Sequence, residues 1–290
     1  MYDTKDKVLV SVVMITYNQE NFIKEAIEGV LMQNCHYDIE LIIADDKSTD
    51  KTSEVIREII DTHSRGSWIK YIRRKENKGM MANFIDAAAT AKGKYVATCE
   101  GDDYWVNPNK LQLQVEFLET HPDFAFSMGI VHQLNQKTAI ITERKESIRF
   151  NENGIYTLKT YIKTPFSQTS SFVYRNSSEP FPDWFYKVHA GDQSLVVIKT
   201  GILGKIKYHD ELLSIYRING DSVSFKNDRK QSREKELFFL ENINRFTGKH
   251  FNKEIFARKI VNELIYHTRS EHALIKNIGY FCYLVYTKIM

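Results

Sequence analysis

Four short apolar runs alternate with stretches of helical period within the first hundred residues, and this alternation restricts the fold more than any other feature of the chain. Leu9-Val10-Ser11-Val12-Val13-Met14-Ile15-Thr16 is almost continuously apolar, as a parallel strand covered on both faces must be. Phe22, Ile23, Ala26, Ile27, Val30 and Leu31 then recur at helical spacing through Met32. A second run, Ile39 to Ala44, ends in Asp45-Asp46-Lys47-Ser48-Thr49-Asp50, whose last three residues suit the N-cap of a helix carrying Val55, Ile56, Ile59 and Ile60. A third run is Ile69 to Ile72. An Ala-rich helix follows Asn77-Lys78-Gly79 and ends near Ala91, before the fourth run, Tyr95 to Cys99. The pattern predicts an α/β fold with a doubly wound, mostly parallel sheet and flanking helices.

Three of these strands end in polar residues: Thr16-Tyr17-Asn18, Asp45-Asp46, and Asp102-Asp103 in the stretch Glu100-Gly101-Asp102-Asp103-Tyr104-Trp105. In an open α/β sheet the carboxyl ends of the strands share one edge, and ligands bind there. The adjacent carboxylates of Asp102 and Asp103 repel each other unless a hard cation, Mg²⁺ or Mn²⁺, bridges them to phosphate oxygens. The plainer alternative is a solvated Asp-Asp turn, or an N-cap for the helix beginning near Asn107-Pro108-Asn109. Convergence of three polar strand ends on one rim favours a diphosphate and cation site over that alternative.

At 290 residues the chain holds one large domain, or one domain and an appendage. A net charge of +3 is too small to point to nucleic acid, and it is unevenly placed. Residues 1–225 carry 27 Lys and Arg against 30 Asp and Glu, whereas residues 226–290 carry 13 against 7. Cys35, Cys99 and Cys282 form no Cys-x-x-Cys pair, which suggests a reducing compartment with neither a zinc site nor a disulfide framework. Val8 to Ile15 is too short to span a membrane and too β-branched for a signal-peptide core, so the expected location is cytoplasmic.

After a helix over Lys110 to Thr120 the alternation loosens. Phe124 to Gln133 and Thr138 to Thr142 read as a hairpin about Leu134-Asn135-Gln136-Lys137. Ser167 to Tyr174 and Ile206 to Ile215 read as strands. Ala190-Gly191-Asp192-Gln193 opens a helix over Ser194 to Lys199, for which Asp192 could be an N-cap. Residues 226–290 form a basic, helical C-terminal extension to the domain at 1–225. The extension ends in an apolar run, Ile278 to Tyr286, flanked by Lys276 and Lys288. That run is about half a membrane span. It suits either peripheral contact with the inner face of an anionic membrane or docking on the domain or a second subunit as a homodimer contact.

The motifs taken in order resemble the family 2 glycosyltransferases, which have the GT-A fold and invert the anomeric centre. Val-Ser-Val-Val-Met-Ile-Thr-Tyr-Asn, Ala-Asp-Asp-Lys-Ser-Thr-Asp, Asn77-Lys-Gly-Met-Met-Ala-Asn83, Glu-Gly-Asp-Asp-Tyr-Trp, Gly-Asp-Gln and Tyr-Arg-Ile-Asn carry the likeness, over about Val8 to Phe225. The resemblance implies that Thr16, Tyr17, Asp45 and Asp46 hold the base and ribose of a nucleotide-sugar donor, with Asp102 beside them. It implies that Asp102-Asp103 is a DxD-type motif in which Asp103 is the more direct ligand of Mg²⁺ or Mn²⁺. Asp192 corresponds to the catalytic base, and Arg217 lies in the segment that closes over the diphosphate. The implied reaction moves a sugar, first of all from a UDP-sugar, to a glycan or lipid-linked acceptor in bacterial surface polysaccharide or cell-envelope glycan synthesis.

The chain departs from the family pattern at three positions. Lys47 stands where Gly is usual, Gln193 where an aromatic residue is frequent, and Asn219 where His is often found. Trp105 and Trp184 could stack on sugars or simply pack. A sugar nucleotidyltransferase or an NAD-dependent dehydrogenase would need a Gly-rich first loop, and Thr16-Tyr17-Asn18-Gln19-Glu20 has no Gly. A catalytically silent binding or assembly subunit is the remaining rival, and retention of both Asp103 and Asp192 speaks against it.

Overall fold

The computed structural model describes residues 9–143, 153–166, 168–189, 191–219 and 229–268. Strands β1 (Leu9–Thr16), β2 (Asp38–Asp45), β3 (Ile69–Arg73) and β4 (Tyr95–Thr98) are parallel, in the order β3-β2-β1-β4. They are joined by helices α1 (Ile23–Leu31), α2 (Thr52–Thr62) and α3 (Met80–Ala88). The register pairs Thr16 with Asp45 and Val13 with Thr98, so the polar ends fall on one edge. Side chains alternate faces along a strand. Val10, Val12 and Met14 of β1 accordingly join a core with α1 and α2, while Val13 joins a second core with α3.

Beyond β4 the sheet becomes mixed. It continues through β9 (Val173–Arg175), β6 (Phe124–Asn135), β10 (Lys205–Ile218) and β5 (Tyr104–Trp105). β9 is antiparallel to both β4 and β6, and β6 and β10 are parallel. The parallel order expected from the first hundred residues therefore holds for the N-terminal half only. Helix α4 (Lys110–Thr120) packs beneath β6.

Several elements differ in extent from expectation. The hairpin is present, but β6 runs to Asn135 and pairs with β7 (Ile140–Glu143), which shifts the turn two residues along, with Ala139 at φ +55°. Of the expected strand over Ser167 to Tyr174, residues 169–171 form a 3₁₀ turn and only the end is strand. β10 continues through Ile218, so Tyr216 and Arg217 lie inside a strand rather than in the loop after it. The bulges between His209 and Ser214 keep the strand paired with β6 along that length.

Strand β8 (Ile155–Thr157) leads into α5 (Leu158–Lys163), and α6 (Gly191–Thr200) follows an aromatic segment. Helices α7 (Arg229–Phe246) and α8 (Asn252–Thr268) pack back onto the sheet domain. Phe239, Leu240, Ile243, Phe251 and Ile255 join the same core as Tyr161 and Leu195. No helix among the described residues is long and apolar enough to cross a membrane. The run from Ile278 to Tyr286, with both of its readings, lies outside the described residues. Cys35 and Cys99 are in no disulfide among the described residues.

Candidate active site

The sheet edge is assembled by backbone contacts that short side chains permit. Gly101 N–H donates to the Ile15 carbonyl at 3.0 Å, laying the end of β4 against the end of β1. A Cβ at Gly101 would sit 2.9 Å from Thr16 Cβ and Oγ1, and closer still to Gln19 Oε1. Asp46 N–H donates to the Thr16 carbonyl at 2.9 Å, which joins β1 to the turn after β2. Asn18 (φ +53°) and Lys47 (φ +65°) both occupy the left-handed region. Lys47 thus bears the strain that Gly avoids there, about 1–2 kcal/mol. Asn18 recovers contacts, donating its N–H to Ser48 Oγ at 3.0 Å and accepting from Thr49 N–H at 2.7 Å.

The two aspartates after β2 have different surroundings. Asp46 lines the cleft and accepts from the N–H groups of Lys78 and Gly79, each at 2.8 Å, so it also anchors the Asn77-Lys78-Gly79 turn. Asp45 does not reach the cleft. Its carboxylate is fully buried, accepts from Ser48 N–H and the Tyr71 hydroxyl at 2.7 Å each, and lies 3.6 Å from Arg73 Nε. Where a nucleotide contact is expected, the Asp45 carboxylate holds Ser48 and Tyr71 and lies beside Arg73. Asn83 completes the wall, donating to the Ala44 carbonyl at 2.8 Å. Thr16 lines the cleft from a buried position, and Tyr17 is exposed at its mouth.

Glu100, Asp102 and Asp103 face the same cleft. Asp103 is buried and accepts the backbone N–H of Arg217 at 2.9 Å. Asp102 accepts from the Asn219 side-chain amide at 3.2 Å. The position where His is often found therefore offers a neutral donor to Asp102. Burial, then the charges of Glu100 and Asp102, hold the Asp103 carboxyl well above the usual range. Burial also raises Asp102, and burial with the Asp102 charge pushes Glu100 up to about 7. Glu100 Oε2 is buried and has no hydrogen-bond partner among the described residues.

An orphaned carboxylate oxygen beside two further acids fits a divalent cation, which would relieve the crowding of negative charge. Among the described residues no group of three or more His, Cys, Asp and Glu side chains is placed to hold a metal ion by itself. Mg²⁺ is commonly held by one or two carboxylates together with substrate phosphates, so this donor set fits. Glu100 stands in the Glu-Gly-Asp-Asp-Tyr-Trp motif but has no role implied by the resemblance. Its signal was position, two residues before Asp102 at the end of a buried strand.

Asp192 opens onto the same cleft from the first turn of α6, where a carboxylate complements the helix dipole. The helix already includes Gly191, so Asp192 lies inside the turn rather than at the cap. Its charge reaches Glu100 and contributes to that group's raised pKa. Arg217, by contrast, does not line the cleft. Its guanidinium is buried, pairs with Glu25 and lies 4.5 Å from the Tyr104 ring centroid and 5.2 Å from that of Phe22. Extension of β10 places Arg217 inside the strand, with its side chain on Glu25 where a diphosphate contact is expected. Trp105 is a packing residue, buried and donating to the Ser170 carbonyl at 2.7 Å, and Trp184 packs against Phe185 and Phe246.

The cleft is open and measures about 2040 Å³. Its far wall comes from His189, Glu236, Arg258 and Asn262, none of which the sequence motifs marked. The site thus brings Thr16, Tyr17 and Asp46, the acids Glu100, Asp102 and Asp103, and the carboxylate of Asp192 onto one cleft.

Comparison with known proteins agrees with this architecture. The chain is 32% identical over 221 residues to an uncharacterized protein of Mycobacterium tuberculosis, covering 73% of this chain and 60% of that protein. It therefore spans about 60% of the length of that relative. It is 26% identical over 288 residues to an uncharacterized glycosyltransferase of Methanocaldococcus jannaschii, covering 99% of this chain and 86% of the relative. A shorter match, 37% over 116 residues, covers 40% of this chain and 43% of the Escherichia coli UDP-Glc:alpha-D-GlcNAc-diphosphoundecaprenol beta-1,3-glucosyltransferase WfaP.

Two solved structures have the same GT-A fold. Residues 1–349 of Staphylococcus aureus TarS in complex with UDP superpose with a TM-score of 0.63 at 16% identity, covering 90% of this chain and 73% of that one. The mannosyltransferase PcManGT from Pyrobaculum calidifontis in complex with GDP-Man and Mn²⁺ gives 0.64 at 14% identity, covering 98% and 81%. Residues 11–179 match the family described as Glycosyl transferase family 2, and the chain belongs to that family of transferases.

Proposed function

We propose that this transferase moves a sugar from a UDP-sugar to a hydroxyl of a lipid-linked or glycan acceptor, with inversion and with Mg²⁺ or Mn²⁺ as cofactor. The observation that carries the reading is the meeting of Glu100, Asp102, Asp103 and Asp192 on one cleft, although Asp103 and Asp192 are far apart in sequence. The name of the E. coli relative supports a UDP-linked donor and a lipid diphosphate acceptor, and hence a role in cell-envelope glycan synthesis.

In this reading Thr16, Tyr17 and Asp46 hold the nucleoside, and Asp103 with Asp102 would hold the cation together with the donor's phosphates. When bound, the cation supplies positive charge to the departing diphosphate. Asp192 accepts the acceptor hydroxyl's proton as the new C1–O bond forms and the bond to the diphosphate breaks. A single displacement inverts C1. No second carboxylate acting as nucleophile is required, in contrast to retaining glycosidases. Asp45 and Arg217 act from beneath the site, by fixing the turn after β2 and by orienting Asp103. A lipid-linked acceptor also gives a reason for peripheral membrane contact by the C-terminal extension.

A thermal-shift panel of UDP, GDP and their sugar conjugates, with and without Mn²⁺, tests the donor. A bound ligand raises apparent stability in proportion to how far its concentration exceeds Kd. UDP conjugates with Mn²⁺ should give the largest shift. Asp192→Asn should keep that shift and lose sugar transfer, measured as Mn²⁺-dependent release of UDP. Near wild-type turnover by Asp192→Asn would place the base elsewhere.

A further inference from the structure

The far wall of the cleft is organised by one arginine. Arg258 of α8 is buried, and its Nη2 donates to Gln193 Oε1 at 2.8 Å and to Glu236 Oε1 at 2.7 Å. Its Nη1 donates to the Ile162 carbonyl at the end of α5 at 3.3 Å, and its guanidinium carbon lies 5.4 Å from the Phe239 ring centroid. Glu236 in turn accepts from Asn262 at 3.0 Å and lies 3.6 Å from His189 Nε2. One planar guanidinium thereby ties α5, α6, α7 and α8 together.

The contact with Gln193 matters most, because Gln193 directly follows Asp192. Met81 of α3 lies against the other side of the same turn, 3.0 Å from where a Cβ on Gly191 would sit. The first turn of α6 is held from α3 on one side and from α8 on the other. The side-chain amide of Gln193 supplies an oxygen acceptor for Arg258 that an apolar ring at this position would lack. Five fixed donors in one plane suit Arg, rather than Lys, to hold several acceptors at once.

We propose that Arg258 is a positioning residue for the transfer reaction. By gripping Gln193 it fixes the turn that carries Asp192, and it makes the C-terminal helical pair a working part of the catalytic domain. The proposal rests on the reading of Asp192 as the base. Holding a base within a fraction of an ångström of its productive place is worth orders of magnitude in rate.

The test uses the full chain and Mn²⁺-dependent hydrolysis of UDP-glucose and UDP-GlcNAc, with water as acceptor, and a parallel UDP–Mn²⁺ thermal shift. Gln193→Ala and Arg258→Ala should each lower kcat about 10-fold or more, and the double variant should be no worse than the worse single one. Donor KM and the UDP shift should stay within about twofold, which a general loss of structure would not allow. Arg258→Lys should recover only part of kcat. Hydrogen exchange of the backbone amides at 191–195 should quicken in Gln193→Ala without any hydrolysis measurement. Gln193→Ala leaves the Arg258–Glu236 pair intact, so it decides the matter even if Arg258→Ala does not fold. Unchanged kcat and unchanged exchange in Gln193→Ala would overturn the proposal. Asp192→Asn separates the two readings: if it keeps wild-type hydrolysis the base assignment fails, whereas if it is inactive while Gln193→Ala is wild type only the positioning role fails.

Discussion

The backbone N–H of Arg217 donates to the Asp103 carboxylate at 2.9 Å, across 114 residues of sequence. Strand β10, reaching this far, delivers an orienting hydrogen bond to the acid placed best to hold a cation, while the arginine side chain points away. Asp103→Asn keeps an oxygen acceptor for that N–H and removes the charge. The expected result is a folded protein that has lost the Mn²⁺-dependent part of its UDP thermal shift, with transfer reduced at least 100-fold. An unaltered Mn²⁺ response would assign the cation to other ligands.

Arg217→Met separates the scaffold role from a phosphate role. The guanidinium is buried between two rings, but its partner Glu25 is about half exposed, which screens the pair. Loss of the charge should cost about 1–2 kcal/mol, seen as a Tm lower by a few degrees. UDP binding should change by less than about threefold. A selective loss of UDP binding with unchanged Tm would show that the side chain serves the diphosphate.

Gly101→Ala tests the close approach of β1 and β4. The new methyl would crowd Thr16 and Gln19, and the neighbours must move to admit it. Overpacking of this kind costs about 1–3 kcal/mol. Because the displaced atoms belong to the nucleotide rim, chemical denaturation and UDP titration should both worsen. Stability lost without any loss of UDP affinity would detach this contact from the site.

His209 gives the fold an acid sensitivity remote from the cleft. It is buried, 3.0 Å from Ser127 Oγ, and burial followed by the charges of Lys207 and Lys110 pushes its pKa down to about 3. The unfolded chain takes up a proton near pH 6.5 that the folded chain refuses. The contribution of this group therefore falls as pH drops from 6.5 toward 3, by about 2 kcal/mol at pH 5. The raised carboxyls of Glu100, Asp102 and Asp103 act in the opposite direction over the same range, so the check is a difference: from pH 7 to pH 5 the urea midpoint of His209→Gln should gain on that of the wild-type protein. An identical pH dependence in both proteins would move the sensitivity to another group.

The four N-terminal strands, their connecting helices and their polar ends were legible in the primary structure, because hydrophobic period and turn chemistry act over a few residues. β1 spans the predicted residues, and β2 to β4 end within one residue of prediction. The gathering of Asp46, Asp102 and Asp103 follows from strands running the same way, and Asp192 was marked by the family motif. What packing alone decided is which polar groups reach the cleft. Asp45 and Asp46 are adjacent, yet Tyr71 and Ser48 draw the first into the scaffold while the second opens to the site. Arg217 turns inward because β10 continues past its expected end, and Glu100 gains its perturbed acidity only when other segments bury it. Gln193 meets its partner 65 residues onward. Desolvation and long-range hydrogen bonds depend on neighbours distant in the chain, and those neighbours exist only once the tertiary structure has formed.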